Sequence, residues 1–140
     1  MPTALRVCID VDDLDRAVAF YGRALGLAVR RRHGSAWAEL DGASVPVDLL
    51  AKAAGTAASP AAAARRDYGR HWTPVHLDVV VDDLDAALER AREAGAVVEA
   101  GVREHPWGRI AILADPFGHG FCLVELRGRG YDEVADPTAT

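Results

Sequence analysis

An eleven-residue stretch of this 140-residue chain occurs twice, and the repetition constrains the fold more than any other feature. Leu5-Arg6-Val7-Cys8-Ile9-Asp10-Val11-Asp12-Asp13-Leu14-Asp15 returns as Val75-His76-Leu77-Asp78-Val79-Val80-Val81-Asp82-Asp83-Leu84-Asp85, at an offset of 70 positions. The same offset carries Ala17 and Val18 onto Ala87 and Leu88. A long period present only twice points to a duplicated supersecondary unit, not a solenoid. Two such units facing each other enclose a cleft, and function is expected there.

Each copy reads as strand then helix. Val7, Ile9 and Val11 alternate with Arg6, Cys8 and Asp10, and Leu77, Val79 and Val81 with His76, Asp78 and Val80, the period of a half-buried strand. Asp12 suits the helix cap, where its side-chain oxygen accepts from a free N–H, and Asp13 and Asp15 then lie near the positive end of the dipole. Leu14, Ala17, Val18, Tyr21 and Leu25 then follow at helical spacing up to Gly26, and Leu84, Ala87, Leu88 and Ala91 up to Gly95. Turn signals at Gly34-Ser35 and Asp41-Gly42 divide the remainder of the first half into about three strands, with Pro46 placing the last at an edge. The second half repeats the plan, with corners at His105-Pro106-Trp107-Gly108 and Asp115-Pro116-Phe117-Gly118.

This predicts an α+β chain forming one domain over 1–127. The first module covers 4–51, a linker 52–74, the second module 75–127 and a flexible tail 128–140. The linker is Ala-rich. Ser59-Pro60 followed by four alanines predicts one or two helical turns, the rest is expected to be mobile, and Tyr68, His71 and Trp72 are placed to fold over the cleft as a lid.

Composition narrows the function classes. No apolar run approaches the roughly 20 residues of a membrane span, and the N-terminus lacks a signal-peptide pattern, so a cytoplasmic location is expected. Cys8 and Cys122 are too few for a disulfide framework. A net charge of −5 disfavours nucleic acid, which requires clustered Lys and Arg.

The repeat, the Phe20-Tyr21 pair after Asp-Asp-Leu-Asp, and Asp115-Pro116-Phe117-Gly118-His119 before the last strand together resemble the vicinal oxygen chelate superfamily, which includes glyoxalase I, extradiol dioxygenases, and fosfomycin and bleomycin resistance proteins. The resemblance covers about residues 4–127. It implies two tandem βαβββ modules forming a curved mixed sheet around a cavity, the glyoxalase/bleomycin-resistance fold, in a homodimer. Metal-dependent members carry a His, Gln or Glu seven residues before the helix-opening Asp in each half. His76 matches in the second half, but the first-half position is Arg6, which has no lone pair to ligate a metal. The Glu that such members carry on the last strand is replaced by Cys122, and its first-half counterpart falls around Asp48. Glu125 has the opposite strand parity and is expected to face away. His76, Asp48 and Cys122 are thus the set for a divalent metal if one binds, but Arg6 beside them disfavours it, and no cofactor is expected.

Each candidate also has a structural reading. His76 is either a candidate catalytic base or part of a polar cavity wall. Arg6 either pairs with Asp10, Asp48 or Asp78, or holds an anionic ligand. Trp107, in a Pro-Trp-Gly-Arg corner similar to that of bleomycin resistance proteins, either stacks on a planar ligand or anchors the core. Cys122 is a nucleophile only if a neighbouring base or cation activates it, and otherwise a buried small residue. The acidic tetrads are explained as caps without calcium, and His119 is expected to face solvent.

The favoured reading is metal-independent binding or sequestration of a small planar or polycyclic molecule, lined by Arg6, Cys8, Trp37, Asp48, His76, Asp78, Trp107 and Cys122. The alternative is an enzyme on the same scaffold, either a metal-dependent lyase or dioxygenase or a metal-free acid/base catalyst using His76. A third is an interaction module with a vestigial cleft.

Overall fold

The computed structural model describes residues 1–137. The first repeat supplies β1 (Val7–Val11), α1 (Leu14–Leu25), β2 (Ala28–His33), β3 (Trp37–Asp41) and β4 (Val47–Ala51). The second supplies β5 (Leu77–Val80), α2 (Leu84–Ala94), β6 (Val97–His105), β7 (Gly108–Ala114) and β8 (Gly120–Leu126). They form two four-stranded mixed sheets, ordered β1-β4-β3-β2 and β5-β8-β7-β6, each with one parallel pair. The α+β, paired βαβββ expectation therefore holds.

The cap of α1 falls one residue later than expected, on Asp13 in place of Asp12, and α2 is capped by the matching Asp83. The Asp13 and Asp83 side chains accept from Arg16 N and Ala86 N at 3.1 Å, and the helices stop at Gly26 and Gly95. The apolar stripes of α1 and α2 pack on each other and on their own sheets. Leu14, Ala17, Phe20, Tyr21 and Ala24 are buried from α1, and Leu84, Ala87 and Ala91 from α2. Phe20 meets Phe121 of β8 edge-on at 6.5 Å, so one core runs through both halves. Such rings each contribute about 1.5–3 kcal/mol by burial.

Three local expectations are corrected. Pro46 does not mark an edge: β4 lies between β1 and β3, and Pro46 precedes it, its carbonyl accepting from Val7 N at 3.0 Å. A Pro just before a strand deletes no ladder hydrogen bond. Residues 59–66 form no helix. Ser59 opens a turn closed by Ala62 N→Ser59 O at 3.1 Å, and Ala57 pairs with Arg65 across it. A segment too short to offset helix nucleation is captured by those cross-loop bonds. Beyond Arg127, Gly130–Glu133 makes a 3-10 turn that lays Tyr131 against Trp107, while residues 138–140 of the expected flexible tail lie outside the described residues. No helix of the described residues is long and apolar enough to cross a membrane.

Candidate functional site

β1 and β5, the edge strands of the two sheets, border a cavity of about 730 Å³. The linker closes its third side, so residues 64–68 and 71–73 line it. The linker is tied at several points. Arg66 Nε donates to Asp10 Oδ2 at 2.7 Å, Tyr68 Oη to Lys52 O at 2.6 Å, and Arg70 to both Glu99 oxygens at 2.6 and 3.0 Å. Val7, Ile9, Leu77, Val79 and Phe121 supply an apolar lining. Trp72 is 82% exposed and borders both this cavity and a smaller hollow of about 270 Å³, which extends the site towards His76 and Cys122.

On the first sheet, the register places Cys8 beside Asp48 and Asp48 beside Glu39, so these side chains share one face with Arg6. The Arg6 guanidinium grips Asp48 through two bonds, at 2.9 and 2.8 Å, and Glu39 through one at 2.5 Å. Trp37 Nε1 donates to Asp48 Oδ1 at 2.9 Å, and the Cys8 thiol lies 3.9 Å from Asp48 Oδ2. Of the acids weighed for Arg6, Asp48 is the partner. Glu39, which the sequence reading missed, is the other. Both acids are buried, and only Arg31 Nε, at 3.3 Å, neutralises the otherwise unbonded Glu39 Oε1.

The Arg6 hydrogen bonds hold the Asp48 carboxyl below its ordinary range, with Trp37 adding to the effect against the opposing cost of burial. The sign follows from linkage. A carboxyl whose folded value is depressed contributes stability above its unfolded value of about 3.9, and that contribution is lost as pH falls through the folded one. The stability difference between wild type and Arg6→Met is therefore expected to shrink on acidification below about pH 4. Urea unfolding at neutral and acid pH checks this, and a difference independent of pH would contradict it. The Arg6 side chain is 45% exposed, so water and salt weaken the pair.

On the second sheet, His76 Nε2 lies 3.1 Å from Asp78 Oδ1. Asp78 and Cys122 are register partners, as Cys8 and Asp48 are in the first sheet, so Asp48 and Cys122 are equivalent positions. Burial first, and Asp78 second, push the Cys122 thiol up to about 11, which leaves it protonated at neutral pH and a poor nucleophile.

The expected metal set of His76, Asp48 and Cys122 does not come together. Asp48 is committed to Arg6 on the other sheet, and among the described residues the donors that converge are His76, Asp78 and Cys122, within 4.8 Å of one another. All three come from the second module, and one is a thiol whose ionisation its surroundings oppose. A metal held between both modules does not fit these residues, because Arg6 has no lone pair to give and its guanidinium engages both oxygens of Asp48. Glu125 faces away, as its parity requires, pairing with Arg109 at 2.5 Å.

Trp107 is elsewhere. It stacks on His105 at 4.9 Å and packs on Tyr131 at 5.2 Å, bordering neither cavity. Its corner motif has a backbone cause: Gly108 has φ 149°, and a Cβ there would stand 2.0 Å from Glu125 O. Of the other expected lining residues, Arg6, Cys8 and His76 border the larger cavity, and His76 and Cys122 the smaller. Trp37, Asp48 and Asp78 stand behind them as hydrogen-bond or charge partners.

His119 is also corrected. It does not face solvent but reaches Asp10 O at 2.7 Å and His71 at 2.9 Å, because the turn that carries it abuts both β1 and the linker. Tyr68, His71 and Trp72 do border the cavity, as their placement in the linker suggested.

The sequence profile of the glyoxalase-like domain matches residues 6–124. The anthracycline biosynthesis protein DauV of Streptomyces sp. strain C5 is 37% identical over 127 residues, covering 89% of this chain and 42% of that protein. This chain spans between 22 and 42% of the length of the curated relatives it matches. A glyoxalase/bleomycin resistance protein/dioxygenase from Nocardioides superposes with a TM-score of 0.64 at 25% identity, over 93% of this chain and 87% of that one. TnmS3, an antibiotic binding protein from Streptomyces sp. CB03234, gives 0.60 at 23% identity, over 91% and 98%. Together with the paired modules described above, these matches place the chain in the glyoxalase-like domain family, within the vicinal oxygen chelate superfamily.

Proposed function

We propose that this protein binds a small planar, polycyclic molecule in the cavity between β1, β5 and the linker, without a metal. The observation that carries this reading is the pairing of an apolar cavity of about 730 Å³ with an exposed Trp72 at its border. That volume suits a drug-sized ligand, and an indole face left in water gains by stacking on an aromatic system. The relatives named for anthracycline biosynthesis and the fold neighbour named for antibiotic binding support the choice of first ligand class. Metal independence is supported by Arg6, which has no lone pair to ligate a metal and engages both oxygens of Asp48, the first-module member of the expected metal set.

Titration with the fluorescent anthracycline doxorubicin tests this. Saturable binding is expected, and Trp72→Ala should weaken it about tenfold, roughly 1.4 kcal/mol, as one lost stacking partner implies. Trp107→Ala, far from the cavity, should leave affinity unchanged. Absence of saturable binding, or a loss confined to Trp107→Ala, would contradict the reading.

A second reading has its own observation. Asp78, 3.1 Å from His76, can fix the imidazole tautomer, leaving a ring at the border of both hollows to move a proton on a bound ligand. It is distinguished by mass spectrometry of the recovered ligand: a His76-dependent change in mass favours catalysis, and unchanged ligand favours binding alone.

A further inference from the structure

A chain of three imidazole contacts runs from within the linker through the β7–β8 turn to β1, beside a backbone bond from His71 N to Gly118 O at 3.1 Å. His71 Nδ1 lies 2.9 Å from Gly69 O, His71 Nε2 lies 2.9 Å from His119 Nδ1, and His119 Nε2 lies 2.7 Å from Asp10 O. A carbonyl oxygen only accepts, so His71 Nδ1 and His119 Nε2 must both carry hydrogen. The contact between the rings needs one more. Three protons on two imidazoles is one more than two neutral rings hold, so the chain is complete only when the pair carries a single positive charge. With no extra proton, one contact sets two lone pairs against each other. With two, the facing nitrogens both present N–H.

We propose that the His71–His119 pair is a proton-dependent latch, which fastens the His71 end of the linker over the cavity while it carries one shared positive charge and loosens that end when the proton is lost. The cavity's role as a ligand site, on which the functional consequence rests, is the reading proposed above; the latch itself rests only on the contacts. The surroundings suit a single cation. From β1, the Asp10 carboxylate is near but neutralised by Arg66 of the linker. From the β7–β8 turn, Asp115 approaches through its bond to the His119 amide at 2.9 Å and is shared with Tyr21 of α1. From the linker, Arg70 donates to His71 O but is paired with Glu99 of β6, Tyr68 meets His119 edge-on at 6.5 Å, and Asp67 accepts from Gly69 N at 2.8 Å. No further cation stands unpaired against the rings among these neighbours, so one charge on the pair is tolerated and a second is opposed by the first.

The test is amide hydrogen exchange of the linker in the ligand-free full chain, corrected for intrinsic rates, from about pH 6 to about pH 9, across the ordinary imidazole range. Protection of residues 66–72 should fall at least about tenfold as pH rises, while α1 and α2 stay protected. The pH dependence should vanish in His71→Gln and in His119→Gln, either of which suffices if the other does not fold. Long-range ¹H–¹⁵N spectra of the latched state should show three protonated ring nitrogens in the pair: His71 Nδ1, His119 Nε2 and one of the two that face each other; two or four would overturn the latch. Linker protection flat with pH in the wild type, or pH dependence that persists in the variants, overturns the latch even if doxorubicin binds. Protection that switches as expected without doxorubicin binding upholds the latch and counts against the ligand reading alone.

Discussion

Replacing Asp115 by alanine is expected to lower the unfolding free energy by about 3–5 kcal/mol, the range for breaking a buried, charge-assisted network. Asp115 is 4% exposed and organises the turn between β7 and β8. One carboxylate oxygen accepts from Phe117 N at 2.8 Å and His119 N at 2.9 Å, while the other accepts from the Tyr21 hydroxyl of α1. The substitution thus removes local bonds within the second module and a tie from the first, and leaves a buried hydroxyl and two amides unpaired. Burial, reinforced by the Asp115 charge, raises the Tyr21 phenol well above its ordinary range, so Tyr21 remains a donor at any pH at which the protein is studied. Tyr21→Phe, which loses only the inter-module bond, should cost about 1–3 kcal/mol. Denaturant unfolding of both variants checks the order. A loss for Asp115→Ala no greater than that for Tyr21→Phe would show that the turn does not depend on the carboxylate.

Gly118→Ala should have the largest effect on the cavity. Gly118 has φ 84°, and a Cβ there would stand 1.9 Å from Gly69 O and 3.1 Å from His71 Nδ1. The first contact is with backbone, so no side-chain rotation relieves it, and the linker must lift away from the turn. The left-handed conformation alone costs an alanine about 1–2 kcal/mol. Gly55→Ala separates the two effects: Gly55 has φ 81° in the same linker, but nothing lies within 4 Å of its would-be Cβ. Both variants should lose similar conformational energy. Only Gly118→Ala should displace the linker wall, lowering doxorubicin affinity at least about tenfold, since that wall carries Trp72. Equal affinities in the two variants would mean that the linker is not part of the binding site.

Local periodicity and the repeat made much of the architecture legible in the sequence. Alternation around Val7 and Leu77, the acidic helix starts, and Gly26 and Gly95 as stops are signals carried within a few residues, and they place both helices and the first strand of each sheet, although the cap of α1 falls on Asp13 and not Asp12. The offset of 70 also set Arg6 against His76, and the structure explains that asymmetry: Arg6 answers two buried acids, whereas His76 answers only Asp78. Glu39 escaped notice because its partner lies 33 residues away, although a carboxylate on an otherwise buried strand facing an arginine position is a signal that a register could have exposed. Trp107 and His119 were misplaced for related reasons. A Pro-Trp-Gly corner reads like a ligand motif, but here the glycine answers a close approach to β8 and the indole answers Tyr131 of the tail. His119, on a polar turn, is drawn inward by groups 48 and 109 residues distant. Such contacts leave no local period, and the same holds for the linker, whose helical composition yielded to the pairing of Ala57 with Arg65 across the loop.

A crystal structure of the protein with doxorubicin tests directly whether the cavity between β1, β5 and the linker is the ligand site. The ring system is expected between β1 and β5, one face against Trp72 and its edge towards Phe121, with the Arg6–Asp48–Glu39 cluster intact and no metal required. Doxorubicin bound instead on Trp107 and Tyr131, or over His76, Asp78 and Cys122 with the larger cavity vacant, would contradict that placement.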